Sequence, residues 1–195
     1  MISNRALQAS LKGQILNDRK IVQEFDRIAQ REFGKIKRKM MREFENHEVT
    51  KGLESFGGSD LVPRGTLFGF LGFERGQNPV EPLRNALERG TILKPGRVRM
   101  NRGEKVYVAM IPSKDDLYSV TPLPWAPGRS WLKAVEFGIS GLGNYMVVTS
   151  SSSRSGEGIQ VEGANLGGKF KNVSYISSIL KNLQKELLSL GITIK

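Results

Sequence analysis

The sequence contains no cysteine and a single histidine, His47. The first absence excludes disulfides, thiolate metal sites and cysteine nucleophiles. The second leaves triad chemistry one base to use and rules out a metal site built from several imidazoles. Carboxylate and lysine chemistry stay open, but the commonest catalytic side chains are missing. No window approaches about 18 consecutive apolar residues, so no membrane span is expected. The opening MISNRALQASLKGQ lacks the apolar core of a secretory signal, and export by the general route is not expected.

Positive charge is in surplus. The chain has 195 residues and a formal net charge of +11, which favours nucleic acid, an anionic membrane or an acidic protein surface as partner. The surplus is uneven. Residues 1–51 carry 12 basic and 7 acidic side chains, and residues 84–105 carry 7 basic and 2 acidic ones. A glycine-rich, slightly acidic stretch lies between them.

Hydrophobic spacing predicts the elements. Residues 1–16 read as an N-terminal arm, mobile or briefly helical, and residues 17–195 as one α+β domain. Residues 17–49 read as a long amphipathic helix, capped by Asn17 or Asp18. Its apolar stripe is Ile21, Phe25, Ile28, Phe33, Ile36, Met40 and Phe44, at steps mostly of three or four. Such a helix would be about 50 Å long, more than a small domain can cover, so a partner subunit is expected on part of the stripe. Residues 66–73 (TLFGFLGF) read as a strand apolar on both faces, and 79–89 as a short helix ending at Gly90. Residues 91–100 and 104–112 read as a hairpin turning at Asn101-Arg102-Gly103. Ser130 caps a helix to Phe137. Two further strands, 144–149 and 158–163, precede a C-terminal amphipathic helix over 174–190. Mobile loops are expected at 50–65, 113–128 and 150–158. The long N-terminal helix and the C-terminal helix would pack on a small antiparallel sheet.

No motif sits in the context its chemistry requires. The loop 150–158 is rich in serine and glycine but lacks the P-loop order. Ser140 lies between glycines, yet helix precedes it and strand follows, the reverse of a nucleophile elbow. Asp115 and Asp116 with Glu104 or Glu136 fall short of a calcium cage and match no EF-hand spacing. No catalytic, cofactor or metal site is assigned, and an enzyme is not expected. Two surfaces remain. Ile21, Phe25, Ile28, Phe33 and Ile36 on the long helix, with Phe68 and Phe70 on the apolar strand, form a candidate subunit interface. Lys35, Lys37, Arg38 and Lys39, with Arg97, Arg99 and Arg102, form a candidate contact for DNA or an acidic partner. No aromatic residue interleaves with these bases, so base stacking is not suggested.

Several strings together resemble a known family: Gly65-Thr-Leu-Phe-Gly-Phe-Leu-Gly-Phe73 after a long helix, Trp125-Ala-Pro-Gly-Arg-Ser-Trp-Leu-Lys-Ala-Val-Glu-Phe137 continuing to Tyr145, Arg154-Ser-Gly-Glu-Gly-Ile-Gln160, and Phe170-Lys-Asn-Val-Ser-Tyr-Ile176. They look like the tail-completion, or neck, proteins of tailed bacteriophages. The likeness covers most of residues 17–190, and its motifs concern packing, not catalysis. It implies a virion structural protein, assembled in the host cytoplasm, that forms a homo-oligomeric ring, sixfold by expectation. The ring would complete the tail tube, contact other neck and tube proteins, and leave a channel for genomic DNA. The alternative is a basic nucleic-acid-binding protein that forms no ring.

Overall fold

The predicted 17–49 helix begins at one of its two expected caps and is broken once before its expected end, and in both places a side chain caps backbone amides. In the computed structural model, which describes residues 4–55, 66–99, 104–137, 147–148, 159–160 and 174–195, α1 (Asn4–Asn17) gives way to α2 (Arg19–Asn46) at Asp18. The Asp18 carboxylate accepts the amides of Lys20 at 2.8 Å and Ile21 at 3.4 Å, as an N-cap does. The break is at His47. It is extended, its Nδ1 accepts the amide of Val49, and it starts α3 (Glu48–Glu54). The first part of the predicted 50–65 loop is therefore helix, and residues 56–65 lie outside the described residues.

The remaining order is α4 (Leu67–Phe70), α5 (Val80–Gly90), β1 (Ile92–Arg99), β2 (Glu104–Met110), α6 (Lys114–Ser119), β3 (Pro122–Leu123), β4 (Ala126–Ser130), α7 (Trp131–Phe137), β5 (Val147–Val148), β6 (Ile159–Gln160), α8 (Ile176–Ser189) and β7 (Thr193–Ile194). The fold is mixed α+β, with a long N-terminal helix, a C-terminal helix and a small sheet. β1 and β2 pair antiparallel from Ile92↔Met110 to Arg99↔Glu104, with a bulge between Pro95 and Val98. β7 adds a third strand, parallel to β2, through Val108↔Thr193 and Ala109↔Ile194.

Two predicted segments differ. Residues 66–73 are not a strand. Thr66 caps a single helical turn by accepting the amide of Gly69 at 3.0 Å, and Leu67, Phe68 and Leu71 are buried. An apolar run without polar alternation reads equally as buried helix or buried strand, and here the cap decides. Residues 113–128 are not one loop. Ser113 and Asp116 form a reciprocal capping box that starts α6. β3 and β4 then make a short hairpin, whose Trp125 Nε1 donates to the Leu71 carbonyl at 3.0 Å. The predicted loop 150–158 and the turn 101–103 lie outside the described residues.

The chain divides into two compact units. The first comprises Met1–Arg42, Glu88–Pro112 and Leu180–Lys195. Its buried side chains include Phe33, Ile36 and Met40 from α2, Leu93 and Ala109 from the sheet, and Leu180, Leu183 and Leu187 from α8. The second comprises Glu43–Leu87 and Ser113–Ile179. Trp131, Leu132, Leu83, Leu117 and Tyr175 are among its buried residues. A polar node ties its elements together. The Arg84 guanidinium bonds Glu45 at 2.7 Å, Glu54 at 2.5 Å and Glu81 at 3.1 Å, and lies over the Phe44 ring. Glu45, and after it Glu54, raise the Arg84 pKa above its ordinary value.

Candidate functional site

Helix α2 does not carry one apolar stripe. The steps from Ile21 to Phe25 to Ile28 are four and three, and those from Phe33 to Ile36, Met40 and Phe44 are three, four and four. The step between the two series, Ile28 to Phe33, is five. At 3.6 residues per turn five residues rotate the helix by about 140° past a full turn. The centres of the two series are therefore about a quarter turn apart, although Phe25 and Ile36, eleven residues apart, lie within about 20° of each other.

The second ridge faces inward. Phe33 is 5% exposed, Ile36 9%, and Met40 and Phe44 are buried. Phe33 and Ile36 are core and offer nothing to a partner, which corrects their place in the predicted interface. Phe68 is likewise buried, against Phe73 with ring centroids 5.6 Å apart. Phe70 is half-buried.

Polar side chains take the inward positions in the first half. Asp26 receives Lys105 Nζ at 2.5 Å and the Tyr107 hydroxyl at 3.0 Å, both from β2. The Lys105 side chain is only 9% exposed. Burial, with Asp26 as acceptor, pushes the Tyr107 phenol well above its ordinary range. One turn on, Gln30 Nε2 donates to the Leu93 carbonyl of β1 at 3.3 Å. These bonds turn the opposite side of the helix outward. Phe25 is 41% exposed and Ile28 38%, with Ile21 half-buried beside them. On α1, Leu11 and Ile15 are exposed at a spacing of four, which puts them on one face. Neither was evident from the sequence, because α1 reads as a mixed polar arm.

The outward face changes character after Ile28. Arg31, Lys35, Arg38, Lys39 and Arg42 stand at spacings of four, three, one and three, and all five are exposed. On a helical projection they are centred about 60° from the Ile21–Phe25–Ile28 ridge, with Lys39 in line with it and Arg38 about 100° away. Lys35 bonds Glu32 at 2.9 Å and Lys39 bonds Glu186 of α8. Lys35 and Arg31 together hold the Glu32 carboxyl below the usual carboxylate range. Lys37 is not on this face; its ammonium donates to the Glu88 carbonyl at 2.5 Å. The second basic zone loses members too, since Arg84 is committed to three carboxylates and Lys105 to Asp26. Arg97 and Arg99 belong to β1, but their side chains, like Arg102, lie outside the described residues.

The catalytic candidates are occupied. His47 uses Nδ1 as a helix cap, and its ring lies 4.5 Å from that of Tyr175. Burial lowers its pKa, opposed by Glu48, the Ser174 backbone and Glu136. Asp116 closes the α6 capping box. Glu136 accepts the Ser177 amide at 2.6 Å, its hydroxyl at 2.8 Å and the Tyr118 hydroxyl at 3.3 Å. Tyr118 is pushed up to about 12 by burial and by Glu136. Among the described residues no group of three or more His, Asp or Glu could hold a metal ion, and no helix is long and apolar enough to cross a membrane. Ser140 lies outside the described residues. No protein-family model, curated protein or solved structure matches the chain.

Proposed function

We propose that this chain is a structural assembly protein that works by self-association and not by catalysis. The setting its sequence resemblance implies is a ring at the head–tail neck of a tailed phage, completing the tail tube and leaving a passage for DNA. One observation carries the self-association. The first half of α2 turns Ile21, Phe25 and Ile28 away from the sheet and commits Asp26 and Gln30 to it. An amphipathic helix packed with its apolar ridge outward keeps that ridge for another surface. Full burial of a Phe or Ile is worth about 1.5–3 kcal/mol. Covering the exposed fraction of these two would add about 1 kcal/mol apiece, repeated at every junction of a closed ring. A ring needs a head-to-tail contact that closes, so the ridge of one copy would meet a different surface of the next. The non-catalytic half of the reading is supported by the absence of cysteine and by the use of the lone histidine as a helix cap.

The test is the mass of the purified chain by light scattering, with negative-stain images of the same sample. The wild type is expected as a closed multimer, and Phe25→Asp and Ile28→Asp as monomers with unchanged circular dichroism. A wild-type monomer at high concentration, or multimers that survive both substitutions, would overturn the reading. Ser140→Ala is expected to leave assembly and particle yield unchanged.

A further inference from the structure

The basic half of the outward face of α2 has no role in self-association through the apolar half. Arg31, Lys35, Arg38, Lys39 and Arg42 span about 16 Å of helix. Arg31 and Lys35 pair with Glu32 on the same helix, and Lys39 pairs with Glu186 of α8. Arg38 and Arg42 have no ion-pair partner among the described residues. The pairs made by Lys35 and Lys39 are exposed, and exposed pairs contribute little, so a phosphate can replace the carboxylate at small cost.

We propose that this face binds the phosphate backbone of duplex nucleic acid without reading its sequence. Three observations select that partner. First, the face holds no exposed apolar residue from Arg31 to Arg42, because Phe33, Ile36 and Met40 are turned into the core. A docking surface for an acidic protein would need an apolar centre, whereas contacts to nucleic acid are polar and strongly positive. Second, duplex DNA presents about one negative charge per 1.7 Å of axis. A straight row of cations matches such a uniform line better than it matches scattered carboxylates. Third, no aromatic side chain lies among these residues, which removes the stacking platform that single strands use. The buried opposite side also stops α2 from entering a groove all round. It can lie along the backbone only, and that contact is independent of base sequence. The inference does not rest on ring formation.

The experiment is a fluorescence-anisotropy titration of the full chain with two 30-base-pair duplexes of unrelated sequence, repeated over a range of salt. Polyglutamate of similar charge serves as the acidic-protein probe. The double variant Arg38→Gln/Arg42→Gln is compared with Arg75→Gln/Lys114→Gln, which removes the same charge from the other compact unit. The expected result is equal affinity for both duplexes and a loss of tenfold or more in the first variant. The log–log salt slope should fall by about two for the two phosphates no longer neutralised. The control pair should change affinity by less than twofold. Equal losses in the two double variants would reduce the effect to net charge and overturn the proposal. So would polyglutamate binding tighter than duplex, or an absence of duplex binding at low salt.

Discussion

The two halves of α2 share one helix geometry and differ in where their apolar residues point. From Ile21 to Gln30 the positions turned to the sheet are polar, Asp26 and Gln30, while Phe25 and Ile28 are exposed. After Phe33 the inward positions are apolar and the outward ones basic. What differs is the surface each half packs against. The first half meets Lys105, Tyr107 and the Leu93 carbonyl of β1, polar groups that need hydrogen-bonding partners where they are buried. In the second half Phe33, Ile36 and Met40 are buried, as are Leu93, Leu180, Leu183 and Leu187 of the same unit. An apolar ridge therefore marks a face that will be covered; it does not say by what.

The largest expected effect tests the inward ridge. Phe33→Ala should cost about 3–5 kcal/mol, the usual range for truncating a buried phenylalanine. Denaturant unfolding would measure it, and a loss under about 1 kcal/mol would erase the distinction between the halves. Next comes the polar side of the first half. Asp26→Ala strands the buried Lys105 ammonium and the Tyr107 hydroxyl. Fully buried pairs lose about 3–5 kcal/mol when broken; Asp26 is partly exposed, so about 2 kcal/mol is expected. Gln30→Ala should cost about 1 kcal/mol by freeing the Leu93 carbonyl.

The same site has a signed pH dependence. Tyrosine in an unfolded chain titrates near 10, and folding raises Tyr107 above that. A raised folded value means stability that is complete below pH about 10 and is lost as pH climbs through the folded value. Tyr118 and Tyr175 are raised as well, so the wild type should unfold steeply in alkali for several reasons. Tyr107→Phe should lose the hydrogen bond to Asp26 at neutral pH and show a shallower alkaline fall than the wild type. Parallel curves for the two proteins above pH 10 would refute the Tyr107 contribution.

Much of this was legible beforehand. The residues Phe33, Ile36, Met40 and Phe44 are spaced for one face, Asp18 and Ser130 are cap residues in cap positions, and the β1–β2 hairpin follows from its two strand-like runs. The shift between the two apolar series was present too, in the five-residue step from Ile28 to Phe33. A reading that merges steps of three, four and five into one stripe passes over it. The Ser113-x-x-Asp116 capping box was likewise visible inside a segment whose prolines suggested a loop. Other features carried no local signal. The neighbour of the turn that Thr66 caps is one: Trp125, distant in sequence, bonds the Leu71 carbonyl and lies where a Cβ on Gly72 would be, 2.6 Å from its Cδ1. β7 is two residues long and exists through its partner strand alone. Which cations remain available was also invisible, since Lys105 and Arg84 are taken by carboxylates 79 and up to 39 residues away.

The smallest expected effect sharpens the comparison most. Phe25 and Phe33 are the same residue type on one helix, eight positions apart, and differ in what covers them. In a monomeric sample Phe25→Ala should cost about 1 kcal/mol or less, because 41% of the side chain is already in water. The cost should grow with protein concentration if a second copy covers the ring, since association adds to the apparent stability of the folded state. Phe33→Ala should cost the same at every concentration. Unfolding curves of both variants and the wild type at two concentrations a hundredfold apart separate the cases. A concentration-independent Phe25 effect would leave its ridge as exposed surface, and the outward turn of the first half of α2 would then need a different cause.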